Sequence, residues 1–99
     1  MRKSALVVDN NRNNQILAKD LLEIAGFEVF EADNATDAIA IARRGKPDII
    51  IMDVWLPDIR GTEAARILRQ DNETSDIPIV FVTFDAIVEC REENCSPFP

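Results

Sequence analysis

The chain has 99 residues, of which 46% are hydrophobic, a net charge of −7 and no histidine. This length predicts one domain, and the hydrophobic fraction is typical of a globular core. The acidic balance argues against a nucleic-acid partner, and the missing histidine removes the usual general base and the commonest transition-metal ligand. The apolar runs are too short to cross a bilayer and the N-terminal segment is not a secretory signal, so we expect a cytoplasmic location and no membrane partner.

Apolar strands and amphipathic helices alternate along the chain. Continuous or alternating apolar runs predict four strands, over residues 4–9, 27–32, 49–53 and 77–83. Apolar residues at helical spacing predict three helices between them, marked by Leu17, Leu21, Ile24 and Ala25, then by Ala35, Ala38, Ile39 and Ala42, and last by Ala64, Ile67 and Leu68. Asn10 or Asn11 is a suitable N-cap for the first helix, and Asn34 for the second. The order βαβαβαβ predicts an α/β fold with a doubly wound parallel sheet.

Two carboxylates end the most apolar strands. Asp53 closes residues 49–53, and Asp9 closes the first strand. Because ligands collect beyond the carboxyl ends of parallel strands, Asp9, Asn10 and Asp53 meet there if these strands are neighbours, with Thr83 beside them. Such oxygen ligands suit Mg²⁺, and a carboxylate beside Mg²⁺ can attack a phosphoryl group to give an aspartyl phosphate. The alternative is an ordinary solvated aspartate at a strand end.

The sequence gives no support for a nucleotide-dependent or metabolic enzyme. The three glycines, Gly26, Gly45 and Gly61, form no dinucleotide-binding or P-loop fingerprint, and none of them follows the first strand. No catalytic constellation exists beyond the acids. We therefore expect that the protein is not a metabolic enzyme.

Residues 4–83 resemble the receiver domain of two-component response regulators. Three features carry the resemblance, in family order and spacing: the apolar strand leading to Asp9-Asn10, the signature Asp53-x-x-x-Pro57-x-x-x-Gly61, and the strand Ile-Pro-Ile-Val-Phe-Val that leads to Thr83. The chain is most similar to the single-domain, CheY-like type. We expect one receiver-like domain over residues 1–99, with a family match over residues 1–83 and a divergent tail over residues 84–99.

The resemblance implies a role for each matching residue. Asp53 would be the phospho-acceptor, served by a histidine kinase or a phosphotransfer protein. Asp9 would help to hold Mg²⁺ through water, Asn10 occupies the position of the acid that normally touches the metal, and the carbonyl group of Trp55 would be a further Mg²⁺ ligand. Thr83 would be the switch hydroxyl that moves toward the phosphoryl group.

The site departs from the family pattern in two ways. Asn10 carries no charge where the family has a second acid, which predicts weaker Mg²⁺ binding. All three lysines precede Thr83, so the lysine that normally pairs with the phosphoryl group is missing, and Arg91 is the only cation beyond Thr83. These departures leave a second interpretation open, a pseudo-receiver that takes no phosphate and acts as a dimerisation or interaction module.

The tail after Thr83 is too short for the family's fifth strand and fifth helix, and residues 85–93 favour one short helix instead. A truncated domain of this kind would leave the fourth strand as an exposed edge and the first helix with bare apolar surface. We therefore expect a homodimer built through the fourth strand and the tail, in which the second chain covers the edge or exchanges an element. The alternative is a gene fragment with an adventitious tail.

Overall fold

The computed structural model describes residues 3–82 and two short strands in the tail. Its elements in chain order are β1 (Ser4–Val8), α1 (Arg12–Ile24), β2 (Glu28–Ala32), α2 (Ala35–Gly45), β3 (Ile49–Asp53), α3 (Gly61–Gln70), β4 (Ile79–Val82), β5 (Val88–Glu89) and β6 (Ser96–Pro97). The predicted alternation of strands and helices up to β4 is therefore confirmed, and so is the α/β class.

The first four strands form one parallel sheet in the order β2-β1-β3-β4. The predicted neighbours β1 and β3 lie at its centre, where Val8 pairs with Met52. On the other side of β3, Asp53 pairs with Val82 of β4. This register brings the carboxyl ends of β1, β3 and β4 to the same edge of the sheet.

The core lies between the sheet and the two later helices. Leu6 and Ile50 from the sheet are fully buried and pack in one cluster with α2 and α3. The buried residues of α2 are Ala35, Ala38 and Ala42. Their small side chains allow this helix to approach the sheet closely. Full burial of a leucine or isoleucine side chain stabilises the fold by about 1.5–3 kcal/mol. Burial on this face of the sheet therefore stabilises the strands that carry the acids.

The residues that α1 buries are not those of its apolar repeat. Its buried residues are Gln15 and Ala18. Leu17, Leu21 and Ile24 are 51%, 60% and 83% exposed. The spacing of these residues predicts the helix correctly, and the bare apolar surface expected on it is confirmed.

The tail strands β5 and β6 pair with each other in antiparallel fashion and form a separate two-stranded sheet. The predicted helix over residues 85–93 is thus wrong at Val88–Glu89, where cross-strand pairing with Ser96–Pro97 replaces helical hydrogen bonding. The first residue of that predicted helix, Asp85, lies outside the described residues. Among the described strands, β4 pairs with β3 alone. Within the same residues, no helix has the length and apolar character needed to cross a membrane.

Candidate functional site

Asp9 follows β1 directly and is a buried carboxylate with one unsatisfied oxygen. The residue is 2% exposed. Its Oδ1 atom accepts a hydrogen bond of 2.8 Å from the backbone N–H of Asn11. Its Oδ2 atom is buried and has no hydrogen-bond partner among the described residues. An unpaired buried carboxylate oxygen is costly, so a cation or a water molecule in contact with this atom would stabilise it.

Asp53, the last residue of β3, is 3% exposed. Its Oδ1 atom accepts a hydrogen bond of 3.2 Å from the backbone N–H of Trp55. Because Val8 and Met52 are register partners, the next residues, Asp9 and Asp53, follow side by side on strands about 4.8 Å apart. The structure therefore places the two acidic residues that the sequence singles out at the ends of neighbouring strands.

The structure describes two of the other predicted site residues, Asn10 and Trp55. Asn10 is exposed and follows Asp9 at the start of the loop to α1. Trp55 is 52% exposed, and the guanidinium carbon of Arg60 lies 4.9 Å from the centre of its ring, a cation–π distance. Thr83 and Arg91 lie outside the described residues. In the sequence Thr83 comes directly after Val82, which is the register partner of Asp53.

The donor set suits a hard divalent cation. Carboxylate and carbonyl oxygens are the ligands that Mg²⁺ prefers, and the unsatisfied Oδ2 atom of Asp9 is available for one. Within the described residues, no group of three or more His, Cys, Asp and Glu side chains gathers at one point. The residues fit Mg²⁺ with one negative charge fewer than a site of three acids.

Gln15 is a site residue that sequence reasoning missed. Its side chain is buried, and its Nε2 atom donates to the carbonyl oxygens of Asp9 (2.6 Å) and Ala32 (3.0 Å). Its Oε1 atom accepts from Nη1 of Arg12. Gln15 thus joins α1 to the carboxyl ends of β1 and β2 and fixes the backbone that carries Asp9. The sequence gives no distinctive signal for it, because Gln15 directly follows other polar residues at the start of α1.

Asp58 is the second missed residue, and it lies in the loop between β3 and α3. Its Oδ1 atom accepts from the backbone N–H of Ala35, at 2.9 Å. Its Oδ2 atom accepts from the backbone N–H and the hydroxyl of Thr36, at 2.9 and 2.8 Å. These hydrogen bonds, with that from Ala35 first, hold the pKa of Asp58 far below its ordinary value. The loop after Asp53 is therefore anchored to α2.

Comparisons with known proteins agree with the fold. The family model of the response regulator receiver domain matches residues 5–96. The polar-differentiation response regulator DivK of Brucella anthropi is 39% identical over 83 residues, which cover 84% of this chain and 68% of that protein. DivK of Brucella ovis is 37% identical over the same length.

Solved structures give the same result. The chemotaxis response regulator CheY4 of Vibrio cholerae matches with a TM-score of 0.78 and 28% identity, over 82% of this chain and 68% of that chain. The receiver domain of the sensor histidine kinase PA1611 from Pseudomonas aeruginosa, solved with a magnesium ion coordinated in its active-site cleft, matches with a TM-score of 0.79 and 29% identity. That match covers 84% of this chain and 68% of that chain. The sheet and its helices have the flavodoxin-like receiver fold of these structures, and the chain belongs to the response regulator receiver domain family.

Proposed function

We propose that this protein is a two-component receiver that accepts a phosphoryl group on Asp53 and signals through contact with another protein. The observation that carries the proposal is the juxtaposition of Asp53 and the buried, partly unsatisfied Asp9 at the carboxyl edge of the central strands. A histidine kinase or a phosphotransfer protein would supply the phosphoryl group, as the family assignment suggests.

The transfer requires one bond to form and one to break. A carboxylate oxygen of Asp53 attacks the phosphorus atom, and the P–N bond of the donor phosphohistidine breaks as the new P–O bond forms. The imidazole nitrogen keeps the electron pair of the broken bond and takes up a proton. Asp53 is suited to this role because the backbone N–H of Trp55 orients its carboxylate and the surrounding strands hold it in place.

Mg²⁺ would be held by the oxygen atoms of the same edge. We assign the carboxylates of Asp9 and Asp53, the side-chain oxygen of Asn10 and the carbonyl oxygen of Trp55 as its ligands, directly or through water. A bound Mg²⁺ ion supplies positive charge that offsets the charge of the phosphoryl oxygens. On the family pattern we assign Thr83 as the switch hydroxyl. The cytoplasmic location and the domain boundary at residue 83 stay predictions.

Intact mass measurement after incubation with Mg²⁺ and a small phosphodonor such as acetyl phosphate tests the proposal. We expect one added phosphate on the wild type and none on Asp53→Asn. The matched control is Asp48→Asn, which alters an exposed aspartate beside the opposite end of β3 and should leave the adduct unchanged. If folded wild-type protein takes no phosphate, the phosphoryl-acceptor function is wrong.

A second candidate function is a pseudo-receiver that acts as a dimerisation module. Two observations favour it: Asn10 replaces an acid, and the described part of β4 presents apolar side chains at an edge of the sheet. Val80 and Phe81 are 43% and 41% exposed, and β4 pairs on one side only among the described strands. An exposed apolar edge strand is a template for pairing with another chain. We propose a homodimer through this edge, with or without exchange of a tail element.

Light scattering at micromolar concentration tests the homodimer. We expect the mass of two chains for the wild type and a shift toward one chain for Val80→Lys, because a charge on an edge strand opposes pairing. Ile24→Lys places the same charge on an exposed residue of α1 and is the matched control. A well-folded wild-type monomer at this concentration would exclude the homodimer.

A further inference from the structure

We propose that Asp58 is a positioning residue for the acidic site, because its carboxylate ties the loop after Asp53 to the first turn of α2. This loop spans residues 54–60 and carries the Trp55 carbonyl group that we assign to Mg²⁺. The inference rests on the proposed function and names the residue that fixes one side of the same site.

The first-turn N–H groups of α2 show how the anchor is built. The N-cap residue Asn34 accepts from the backbone N–H of Asp37 at 2.8 Å. Ala35 and Thr36 donate their backbone N–H groups to Asp58 instead, one to each carboxylate oxygen. Asp58 therefore satisfies two donors that the N-cap residue does not. The position also places a negative charge at the positive end of the helix dipole, which strengthens both hydrogen bonds.

The other described hydrogen bonds within the loop hold its two ends. The backbone N–H of Trp55 donates to Asp53 at the start. The backbone N–H of Gly61 donates to the carbonyl oxygen of Val54 at 2.8 Å. Among the described hydrogen bonds of the loop, those to Asp58 connect it to another helix. The carboxylate thus ties the loop to α2, while Leu56 and Ile59 of the loop pack against the buried core.

A carbonyl ligand is effective only if its backbone is held in place. Residues that support metal ligands from outside the coordination shell typically change affinity by 10- to 100-fold when they are altered. Three hydrogen bonds hold Asp58, and it lies three residues after Trp55. We therefore expect its loss to loosen the backbone around Trp55 and to weaken Mg²⁺ binding by about tenfold.

The test compares Asp58→Ala with Asn34→Ala. Both variants remove a cap of α2, but Asn34→Ala leaves the hydrogen bonds of the loop intact. The first measurement is amide hydrogen exchange over residues 54–61 without metal, and the second is Mg²⁺ titration by the fluorescence of Trp55. We expect Asp58→Ala to exchange faster at Trp55 and Gly61 and to bind Mg²⁺ about tenfold more weakly. Asn34→Ala should match the wild type in both measurements.

Equal loop exchange in the two variants would overturn the proposal and leave Asp58 as a helix cap only. If the wild type binds no Mg²⁺, the metal part of the proposed function is wrong, whereas the exchange comparison still decides the role of Asp58. If Asp58→Ala does not fold, Asp58→Asn replaces it, since the amide keeps the shape and one acceptor oxygen. Asp58→Asn should then exchange faster than Asn34→Ala at the same amides, and equal exchange would again overturn the proposal.

Discussion

Gly61, the first residue of α3, lies directly against the backbone of Asp53. A Cβ atom at Gly61 would overlap with the carbonyl oxygen of Asp53 and come within 3.2 Å of the Cγ atom of Met52. The backbone N–H of Gly61 also donates to the carbonyl oxygen of Val54 at 2.8 Å. Helix α3 therefore begins in contact with the end of β3, and only a residue without a side chain permits this approach.

Replacing Gly61 by alanine should disturb both stability and the acidic site. The new methyl group must displace either the start of α3 or the backbone of Asp53, so we expect Gly61→Ala to lower the free energy of unfolding by about 1–3 kcal/mol. Urea denaturation measures this loss. Gly45→Ala is the matched control, because its Cβ atom would meet the ring of Phe30 at an ordinary 3.7 Å. Equal stability of Gly61→Ala and the wild type would contradict the contact.

Gln15 should stabilise the fold through its two hydrogen bonds to buried carbonyl groups. In Gln15→Leu the carbonyl oxygen of Asp9 loses the donor that the amide provides, whereas the carbonyl oxygen of Ala32 keeps the backbone N–H of Asp9 as a donor. A buried polar group left without a partner costs about 1–3 kcal/mol, and we expect a loss of stability of that order. Thermal unfolding measures it, with the exposed Gln70→Leu as the control. If Gln15→Leu melts at the wild-type temperature, the side chain does not hold this edge of the sheet.

Asn10→Asp should strengthen Mg²⁺ binding. The substitution adds a third carboxylate beside Asp9 and Asp53, and affinity for a hard cation rises with the number of charged ligands, here by about tenfold. Without metal the variant should be less stable than the wild type, because like charges at close range repel. A fluorescence titration of Trp55 measures the affinity. The control is Asn13→Asp, which makes the same charge change at an exposed position and shows how much a charge that is not a ligand adds. Equal gains in Mg²⁺ affinity in the two variants would contradict a ligand role for Asn10.

The carboxylate of Asp58 should make stability depend on pH in the acid range. Its hydrogen bonds from α2 lower its pKa in the folded state, whereas an unfolded aspartate has a pKa of about 3.9. The stability that it contributes is therefore complete above the unfolded pKa and is lost as the pH falls below about 4 toward the lower folded value. We expect Asp58→Asn to flatten the fall in the urea midpoint between about pH 4 and pH 2.

Asp71 provides the comparison for this experiment. Its pKa is also lowered, mainly by the backbone N–H of Glu73 and then by the side chain of Arg43. The pKa shift has the same direction, so the stability that Asp71 contributes is lost over the same acid range of pH. Asp71→Asn should leave the contribution of Asp58 in place, and the double variant should flatten the curve further. An unchanged slope in Asp58→Asn would show that its hydrogen bonds to α2 do not contribute to folding.

Local patterns in the sequence predict most of this fold. Continuous or alternating apolar runs predict the strands up to β4, and the capping residues Asn11 and Asn34 are confirmed by their hydrogen bonds to N–H groups of the first helical turns. The position of Asp9 and Asp53 at neighbouring strand ends follows from the right-handed crossover of parallel units. These features depend on residues that are close in sequence or on a general rule of topology.

Contacts between residues that are far apart in the sequence cannot be predicted from such patterns. Asp58 bonds to residues 22 and 23 positions earlier, and no local motif marks that pairing. Gln15 is buried and Leu17 is exposed because of the side of α1 that faces the sheet. The packing of the helix on the whole sheet determines that side. The short pair β5 and β6 is a further case, since pairing across the tail competes with the helical preference of residues 85–93.

Locating the phosphoryl group within the chain tests the central claim most directly. After reaction with acetyl phosphate and Mg²⁺, the protein is digested and the modified peptide is identified by mass spectrometry. The account predicts phosphate on the peptide that contains Asp53, none on the peptide that contains Asp9, and loss of the adduct in Asp53→Asn. An adduct at another residue that persists in Asp53→Asn, or no adduct on folded protein, would contradict it.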